Sequence, residues 1–341
     1  MSDAKITVGI PTFNRAEWLR EAIESVLAQT YTGFRLIVSD NASDDDTPDV
    51  VRSFGDERID YVRSEHNIGS LGNMNRLVAL ADTEFLLLLP DDDILYPDHL
   101  GTTVNLLERV ETLGLVHSAF DQIDEQSRVI GRIAPVVCHS PTTIERRDLA
   151  LERLMVSTYG LCFTSAVYRT KAIVEAGGFR EEAGPFCDRE LWMRIALDWD
   201  FGYVARPLVG QRPHPASVTL QAAAEKGVES NERERFRLYS QMNFERRMDF
   251  LDRAELERQK MKRLRALANL QLLVDDANLG LPSKEVAVRL TDLMRAYPRI
   301  VLRRGLWRLI AAELGGRRAH SALRGLYARY QRPAERAPAR S

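Results

Sequence analysis

The sequence predicts an α/β fold, with a mainly parallel sheet and helices on both faces, followed by an all-helical C-terminal region. Over residues 5–120, short apolar runs alternate with amphipathic segments of helical spacing, which is the βαβ pattern of a parallel sheet. From about residue 225 onward the apolar spacing is helical only. No apolar run approaches the roughly 18 residues that a membrane-spanning helix requires.

The first half of the chain supplies four strands and three helices in strict alternation. The predicted strands are Lys5–Ile10, Arg35–Asp40, Ile59–Arg63 and Phe85–Leu89, and the last of these is a continuous apolar run, as expected for a strand buried on both faces. The predicted helices between them are Ala16–Gln29, a segment that starts near Thr47 with Pro48 at its first position, and Leu71–Ala81.

The later elements are less regular. Cys162–Arg169 alternates like a strand, Arg189–Asp198 has helical spacing, and two short strands follow at Phe201–Val204 and Val209–Arg212. The C-terminal helices are then expected at Glu232–Leu251, Ala254–Asp276, Lys284–Tyr297 and Ile300–Leu314. We therefore predict a first domain over residues 1–225, a helical domain over 226–332 and a disordered tail over 333–341.

The net charge of -2 conceals a basic C-terminal segment. Nine arginines and one acid lie between Arg299 and Arg332, so this segment carries +8 and the rest of the chain -10. Its helical spacing gathers apolar side chains and Trp307 on one side, which predicts contact of residues 298–332 with an anionic membrane surface. Packing on the first domain or on a second subunit, as a homodimer, is the alternative. Nucleic acid is not an expected partner, because the segment lacks interleaved aromatic residues.

Cysteine content and the N-terminus bear on location. The three cysteines, Cys138, Cys162 and Cys187, are odd in number and form no CxxC pair, so neither a disulfide framework nor a zinc site is indicated. No apolar stretch of the signal-peptide kind occurs at the N-terminus. These observations predict a cytoplasmic protein, peripheral at the inner face of the plasma membrane if the basic segment binds there.

The carboxyl ends of the predicted strands carry the candidate site, because ligands of open parallel sheets bind there. The first strand ends without the G-x-G-x-x-G of dinucleotide-binding proteins, which argues against a dehydrogenase. Pro11 is instead expected to end the strand, so that Thr12, Phe13 and Asn14 form a ledge for a nucleobase or ribose, with a plain strand-to-helix turn as the alternative. Asp40, after the second strand, can accept a hydrogen bond from the imide N–H of uracil or thymine or from a ribose hydroxyl. The alternative is that it caps a helix.

Asp91, Asp92 and Asp93 follow the most apolar strand. Three adjacent carboxylates repel one another, and a divalent cation among them relieves that repulsion. Mg²⁺ and Mn²⁺ prefer oxygen ligands and bridge to substrate phosphates, so we predict a metal site here rather than a solvated acidic turn. The second acidic run, Asp44–Asp46, precedes Thr47 and Pro48 and is expected to be a helix start.

Two later residues complete the candidate site. Asp188 opens a predicted helix after a Gly/Pro loop and is either a helix cap or a general base. Cys187 has no histidine partner of the kind that activates a nucleophile, so we do not assign it that role. His214 lies among prolines on a late loop and becomes a candidate metal ligand or phosphate contact if the metal site is real.

The ordered set of motifs resembles glycosyltransferase family 2. The resemblance spans residues 5 to about 215 and rests on Val8–Arg15, Ser25–Tyr31, Ile37–Asp45, Asn67–Arg76, Pro90–His99 and Cys187–Trp192. It implies a GT-A, Rossmann-like fold and an inverting transfer of sugar from a nucleoside-diphosphate sugar, with UDP or dTDP as first choice. The expected acceptor is a glycan or a lipid-linked molecule, in polysaccharide, O-antigen or other glycoconjugate biosynthesis.

The resemblance also implies roles for individual residues. The Pro11–Phe13 segment and Asp40 would hold the donor nucleoside. Asn41 and Asn67, which belong to the same motifs, are also predicted to bind the donor. Asp91 and Asp92 would contribute to donor binding, and Asp93 would contact Mg²⁺ or Mn²⁺. His214 would reach the metal or the diphosphate, and Arg76 would approach the diphosphate. Asp188 would be the catalytic base, although Cys187 stands where the family usually has glutamate, which makes Glu190 the reserve.

Two other functions stay open at this point. A sugar-nucleotide pyrophosphorylase shares the α/β plan and the need for a metal, but would require a Gly-rich, basic first loop that this sequence lacks. A non-catalytic nucleotide-sugar binding protein would show no metal-dependent binding of nucleoside diphosphates.

Overall fold

The structure is a computed structural model of the chain and describes residues 4–133, 142–156, 161–213, 232–278 and 283–296. The chain divides into two compact units, Met1–Gly227 and Val228–Ser341. The predicted roles of residues 1–225 and 226–332 remain predictions. His214, the basic segment 298–332, the tail 333–341 and the helix expected at Ile300–Leu314 lie outside the described residues.

The first unit is built from strands and helices that alternate along the chain. Its strands are β1 Ile6–Thr12, β2 Phe34–Asp40, β3 Ile59–Arg63, β4 Phe85–Leu88, β5 Ile94–Leu95, β6 Leu113–Ile123, β7 Val129–Ile133, β8 Thr142–Glu145, β9 Val167–Arg169 and β10 Asp200–Gln211. Its helices are α1 Ala16–Leu27, α2 Thr47–Ser53, α3 Gly69–Leu80, α4 His99–Arg109, α5 Arg147–Leu154, α6 Thr170–Glu175 and α7 Cys187–Asp198.

All described strands belong to one ten-stranded mixed sheet. The order is β3-β2-β1-β4-β9-β6-β10-β5, with β7 beside β6 and β8 beside β10. β1 runs parallel to β2 and β4, β2 to β3, and β6 to β10, whereas the remaining pairings are antiparallel. The predicted α/β class is confirmed, but the parallel arrangement is concentrated in the first four strands of the chain.

The core forms because the apolar spacing of each element matches its period. Every residue of β4 is buried, as expected for a strand covered on both faces. The buried side chains of α1 recur at helical spacing, and these are Leu19, Ala22, Ile23 and Val26. Helix α3 lies directly on β1, because a Cβ added at Gly9 would be 2.9 Å from Leu77 Cδ2. The glycine permits this close approach of helix and strand.

The first strand continues through Pro11, where the sequence predicted its end. Gly9 O accepts from Leu89 N, and Thr12 O accepts from Asn41 N. Residues 9 and 11 therefore face β4, and residues 10 and 12 face β2, because the bonding direction alternates along a strand. β4 ends at Leu88, so the missing N–H of Pro11 faces a side with no strand to bond it.

Three other predictions of secondary structure need correction. The first half of Cys162–Arg169 is a 3₁₀ turn at Phe163–Ser165, and only Val167–Arg169 is a strand. The two strands expected between 201 and 212 are one strand, β10, whose register with β6 shifts around Pro207. Proline has no N–H to donate to a ladder, which accounts for the irregularity there. Helix α7 begins at Cys187, two residues earlier than expected, so Asp188 lies in its first turn.

The described part of the second unit is helical, as predicted. It comprises α8 Glu232–Arg253, α9 Arg258–Asn278 and α10 Ser283–Ala296. Buried side chains between α8 and α9 include polar ones: Asp275 accepts hydrogen bonds from the Ser240 hydroxyl and from Gln271 Nε2. None of the described helices combines the length and apolarity needed to cross a membrane.

Candidate active site

The three consecutive aspartates, Asp91–Asp93, form a buried turn between β4 and β5, here named the acidic loop. Their exposed fractions are 5, 7 and 4%, which rules out a solvated acidic turn. The Asp93 carboxylate is held on both oxygens: the Thr164 hydroxyl donates to Oδ2, and the Arg212 main-chain N–H donates to Oδ1 at 2.7 Å. By contrast, the second acidic run, Asp44–Asp46, is exposed.

Arg15 lies against the acidic loop from the turn that joins β1 to α1. Its Nη1 donates to Asp91 Oδ1 at 3.2 Å and to Asp92 Oδ2 at 2.7 Å. Burial and the Asp92 charge raise the pKa of Asp91 to about 7, against the opposing effects of Arg15 and the Thr12 hydroxyl. Burial, followed by the Asp92 charge, also raises the pKa of Asp93. The acidic loop therefore has more negative charge than Arg15 neutralises.

Asp40 lies at the end of β2 and is completely buried. Its Oδ1 accepts from Ser43 N at 2.8 Å, and its Oδ2 accepts from the Tyr61 hydroxyl at 2.5 Å. Arg63 Nε is 3.3 Å from the same Oδ2. Thr12, Asp40 and Arg63 are partners in register across β1, β2 and β3, so the three side chains end one row of the sheet. Tyr61 and Arg63 thus stand between the carboxylate and solvent.

The residues of the predicted ledge lie at the end of β1, beside Asp40. Thr12 is buried, whereas Phe13 is 41% exposed beyond the end of β1. Asn14 has a φ of +53°, which turns the chain toward α1, and its N–H donates to Ser43 Oγ at 3.0 Å. Asp45 Oδ2 accepts from Ala16 N at 3.0 Å at the start of α1, and its Oδ1 accepts from Thr47 N at 3.1 Å at the start of α2, the helix for which the second acidic run was predicted. An exposed aromatic face therefore adjoins the row of strand ends.

The third loop of this edge brings Asn41 and Asn67 together. Asn41 Nδ2 donates to Asn67 Oδ1 at 2.8 Å, and Asn41 Oδ1 accepts from Ile68 N at 2.8 Å. Arg76 is directed to the end of β3, where its Nη1 donates to Ser64 Oγ at 2.6 Å. In the described contacts, Arg76 is placed beside Ser64 rather than at the acidic loop.

Asp188 lies in the first turn of α7 and accepts from the Arg189 main-chain N–H at 2.6 Å. Burial raises the pKa of its carboxyl. Burial, with a contribution from Asp188, also raises the pKa of Cys187 to about 12, so this thiol is a poor nucleophile, as predicted. Glu190 is committed to Arg194, with Glu190 Oε2 at 2.5 Å from Nη2. Asp188 is therefore better placed than the reserve candidate to accept a proton.

Asp93 and Asp188 lie beside one buried segment, Cys162–Tyr168. Burial raises the pKa of Cys162 to about 12, and the Asp93 charge adds to that rise. At the other end, burial raises the pKa of Tyr168, and the Asp188 charge contributes. Hydrogen bonds give the same placement: Asp93 Oδ2 accepts from the Thr164 hydroxyl, and Trp192 of α7 donates through Nε1 to the Tyr168 hydroxyl at 2.9 Å. The predicted metal-site acid and the predicted base are thus brought to the same part of the sheet.

The acidic loop fits Mg²⁺ or Mn²⁺ in its donor chemistry. It offers carboxylate oxygens, whose pKa values at Asp91 and Asp93 are raised by burial first and by the Asp92 charge second, so a bound cation would favour their ionised forms. Within the described ranges, no group of three or more His, Cys, Asp and Glu side chains is arranged so that it could hold a metal ion by itself. A hard cation bound by one or two carboxylates takes its remaining ligands from substrate phosphates and water.

Sequence reasoning did not single out three residues of this site. Arg15 belongs to the first motif, and its position after Asn14 gave a usable signal. Arg212 lies two residues before His214, where only the histidine was considered. Thr164 carried no signal, because its role depends on the turn that brings it to Asp93.

The fold and the site define an α/β protein with a buried acidic loop at the carboxyl ends of its parallel strands. The family profile described as "Glycosyl transferase family 2" matches residues 7–175, about half of the chain. The chain belongs to this family, which confirms the resemblance seen in its motifs.

Two relatives illustrate the reach of the sequence similarity. An uncharacterized glycosyltransferase of Rickettsia typhi is 26% identical over 218 residues, 64% of this chain and 66% of that protein. The GalNAc(5)-diNAcBac-PP-undecaprenol beta-1,3-glucosyltransferase of Campylobacter jejuni is 40% identical over 101 residues, 29% of this chain and 33% of that protein. The chain thus spans less than two thirds of the length of either relative.

Solved structures share the fold. S. aureus TarS 1–349 in complex with UDP-GlcNAc has a TM-score of 0.57 at 16% identity, and the match covers 96% of this chain and 91% of that one. Mannosyltransferase PcManGT from Pyrobaculum calidifontis, in complex with GDP-Man and Mn²⁺, has a TM-score of 0.54 at 17% identity, with 95% and 87% covered. At these identities the likeness shows the GT-A fold alone.

Proposed function

We propose that this protein is an inverting, metal-dependent glycosyltransferase that moves a sugar from a nucleoside-diphosphate sugar to an acceptor hydroxyl. The observation that carries the proposal is that the buried acidic loop and α7, the helix of Asp188, both bond to the segment Cys162–Tyr168, through Asp93 with Thr164 and Trp192 with Tyr168. Family membership supports the reaction class. Solved proteins of the same fold bind UDP-GlcNAc and GDP-Man, and UDP or dTDP is our first choice for the donor nucleotide here.

The donor is assigned to the row of strand ends. Phe13 offers an exposed aromatic face for the base, with Pro11 and Thr12 behind it. Arg63, held beside Asp40, offers guanidinium N–H groups to base or ribose oxygens, and the Tyr61 oxygen, whose proton is donated to Asp40, can accept from a ribose hydroxyl. Asn41 and Asn67 belong to the neighbouring loop on the same edge, and Arg76 is at the end of β3.

The diphosphate is assigned to the acidic loop. Asp93, with Asp91 and Asp92, would hold Mg²⁺ or Mn²⁺, and His214 is a further candidate ligand. Such a cation supplies Lewis-acid stabilisation of the charge that develops on the departing diphosphate. Arg15 bridges Asp91 and Asp92, and its guanidinium is the protein's own positive group at this position.

Asp188 is the proposed base. Its raised pKa brings the carboxylate closer to the range in which it accepts a proton from a hydroxyl. Displacement on the face opposite the leaving group needs one base and inverts the anomeric centre. Glu190, the other acid of this turn, is engaged by Arg194 and so does not supply a second carboxylate nucleophile.

The acceptor and location are inferred from chemistry and relatives. The name of the C. jejuni relative specifies an acceptor linked through a diphosphate to undecaprenol. We infer a lipid-linked or glycan acceptor at the cytoplasmic face of a membrane, approached through the basic segment 298–332. Replacing Arg303, Arg304 and Arg308 by glutamine should release the full-length protein from vesicles rich in anionic lipid. If vesicle binding is unchanged and a dimer dissociates instead, the segment serves self-association.

Turnover tests the catalytic assignment. Asp188→Asn and Asp93→Ala should each reduce sugar transfer by at least ~10²-fold, the low end of what a positioned base contributes. Asp44→Ala removes a carboxylate from the exposed acidic run and is the matched control. If Asp188→Asn transfers sugar at a near-wild-type rate and gives the same product anomer as the wild type, the role of Asp188 is contradicted.

Binding distinguishes the proposed function from its two alternatives. A thermal-shift panel of nucleoside diphosphate sugars, with and without Mn²⁺, should show stabilisation that requires both components. Stabilisation that does not depend on Mn²⁺, without transfer to any acceptor, would favour a non-catalytic nucleotide-sugar binding protein. Release of pyrophosphate from a nucleoside triphosphate and a sugar phosphate would identify a pyrophosphorylase.

A further inference from the structure

We propose that Arg212 is a positioning residue that fixes the shape of the acidic loop for metal and diphosphate binding, an inference that rests on the proposed function. Arg212 follows β10, which is brought next to the loop by antiparallel pairing of Val209 and Gly210 with β5. The arginine contacts the loop in two ways. Its main-chain N–H donates to Asp93 Oδ1 at 2.7 Å, and its side-chain Nε donates to Asp92 O at 2.9 Å.

The rest of the guanidinium ties this contact to two other elements. Nη1 donates to Asp124 O at 2.6 Å, at the β6–β7 turn, and Nη2 donates to Ser127 Oγ of the same turn at 3.0 Å. Nη2 also contacts Glu21 Oε2 on α1 at 2.8 Å. One side chain thereby joins the acidic loop, the β6–β7 turn and the first helix.

Because the Arg212 guanidinium is buried, the surrounding protein must supply acceptors for its N–H groups. The Arg212 side chain is 1% exposed, and a buried guanidinium is stable only when its N–H groups are bonded and its charge is matched. Nε, Nη1 and Nη2 all donate in the contacts above, to acceptors that lie in different directions. Trp18 lies under the group, with its ring centroid 5.5 Å from Cζ. A lysine ammonium at this place reaches fewer of these acceptors at once.

Arg212 should affect metal binding because it orients Asp93. Asp93 is the proposed metal contact, and its Oδ1 is oriented by the Arg212 N–H while Oδ2 is oriented by Thr164. Groups that orient metal ligands typically change metal affinity or activity about 10–100-fold when removed. Without the side-chain anchors, the main-chain N–H of residue 212 is still present but no longer fixed against Asp93. Metal-dependent binding should therefore weaken even though all three acids are kept.

The experiment compares two ways of disturbing Arg212. Arg212→Lys keeps the positive charge but loses the planar guanidinium and its several N–H donors. Glu21→Gln leaves Arg212 in place and weakens its contact with α1. Glu24→Gln is the matched control, because Glu24 is exposed on the same helix and undergoes the same charge change. Arg206→Gln is the second control, on the exposed part of β10. Affinity for UDP, dTDP and GDP is measured over a range of Mn²⁺ concentrations, together with the thermal midpoint.

Arg212→Lys should raise the Mn²⁺ concentration needed for half-maximal nucleotide binding by at least ~10-fold. Glu21→Gln should raise it by about 2- to 5-fold, and excess Mn²⁺ should restore binding in both. The two controls should match the wild type. If Arg212→Lys does not fold, the Glu21→Gln result decides.

Three outcomes overturn the proposal. One is a folded Arg212→Lys whose Mn²⁺ dependence equals that of the wild type. Another is a Glu21→Gln variant that changes the thermal midpoint alone, which would mark a purely structural role. The third is a wild-type protein that binds no nucleoside diphosphate at any Mn²⁺ concentration. That third result would remove the proposed function as well, whereas the first two leave it standing.

Discussion

Breaking the buried ion pair of α7 should destabilise the first unit and disturb the start of the helix that carries Asp188. Arg194 Nε and Nη2 donate to Glu190, and its Nη2 donates to Gly178 O at 2.7 Å. Its Nη1 donates to Ala176 O. The pair therefore ties α7 to the turn that follows α6, ahead of the proposed base.

The expected loss of unfolding free energy depends on the Glu190 charge that Arg194→Met leaves without its main partner. The Glu190 side chain is 11% exposed, and its remaining cationic contact is Arg180 at 3.6 Å. Removing one partner of a buried pair typically costs about 3–5 kcal/mol of unfolding free energy, because the other charge stays buried. For a domain of this size that loss lowers the thermal midpoint by roughly 6–20 °C.

A double-mutant cycle separates the pair from each residue alone. Unfolding free energies are measured in urea for Arg194→Met, Glu190→Gln and the double variant. We expect a coupling energy of about 2 kcal/mol or more, since the double variant leaves no unpaired charge. Lys171 and Glu175 provide the control, because they form an exposed pair four residues apart on α6. Their coupling should stay below about 0.5 kcal/mol. Equal coupling in both cycles would refute the reasoning.

Three further expectations follow from the described geometry. Burial raises the pKa of Asp188, which acts as a base only when ionised, so kcat/KM should fall as pH drops through a value above the ordinary 3.8. A pH profile that is flat down to 4 contradicts this. Tyr61→Phe removes a hydroxyl hydrogen bond to the buried carboxylate of β2 and should cost about 1.5–3 kcal/mol in urea unfolding, and a loss under about 0.5 kcal/mol would be inconsistent. Gly178→Ala should destabilise more than Gly177→Ala, since both have positive φ but only at Gly178 would a Cβ lie 2.6 Å from Asn75 Oδ1; equal thermal midpoints would argue against it.

The parallel core could be predicted from sequence because its signals are local. β3 was placed at its observed bounds, and α1 and β4 to within two residues, since each has apolar spacing of its own. The burial of Asp91–Asp93 and the exposure of Asp44–Asp46 also followed from context, because only the former come directly after a buried strand.

The remaining elements depend on distant partners. β5 is two residues long and exists through pairing with β10, so no periodicity marks it. The contact between Arg212 and Asp93 joins residues 119 positions apart. The two residues are brought together only by the folded sheet, so no local pattern in the sequence marks either of them as a partner of the other. Sequence reasoning therefore named the acids of the site and left out the arginines that hold them.

The indole of Trp18 is a built-in optical reporter of the acidic loop. Its ring contacts Arg15 and Arg212, with Cζ atoms 5.9 and 5.5 Å from the centroid, and both arginines bond to the loop. Fluorescence of tryptophan responds to nearby charge, so rearrangement of either guanidinium should shift the emission. A Trp18→Phe variant would show which part of the signal from the four tryptophans comes from this position. Ligand titrations could then be followed without any attached dye.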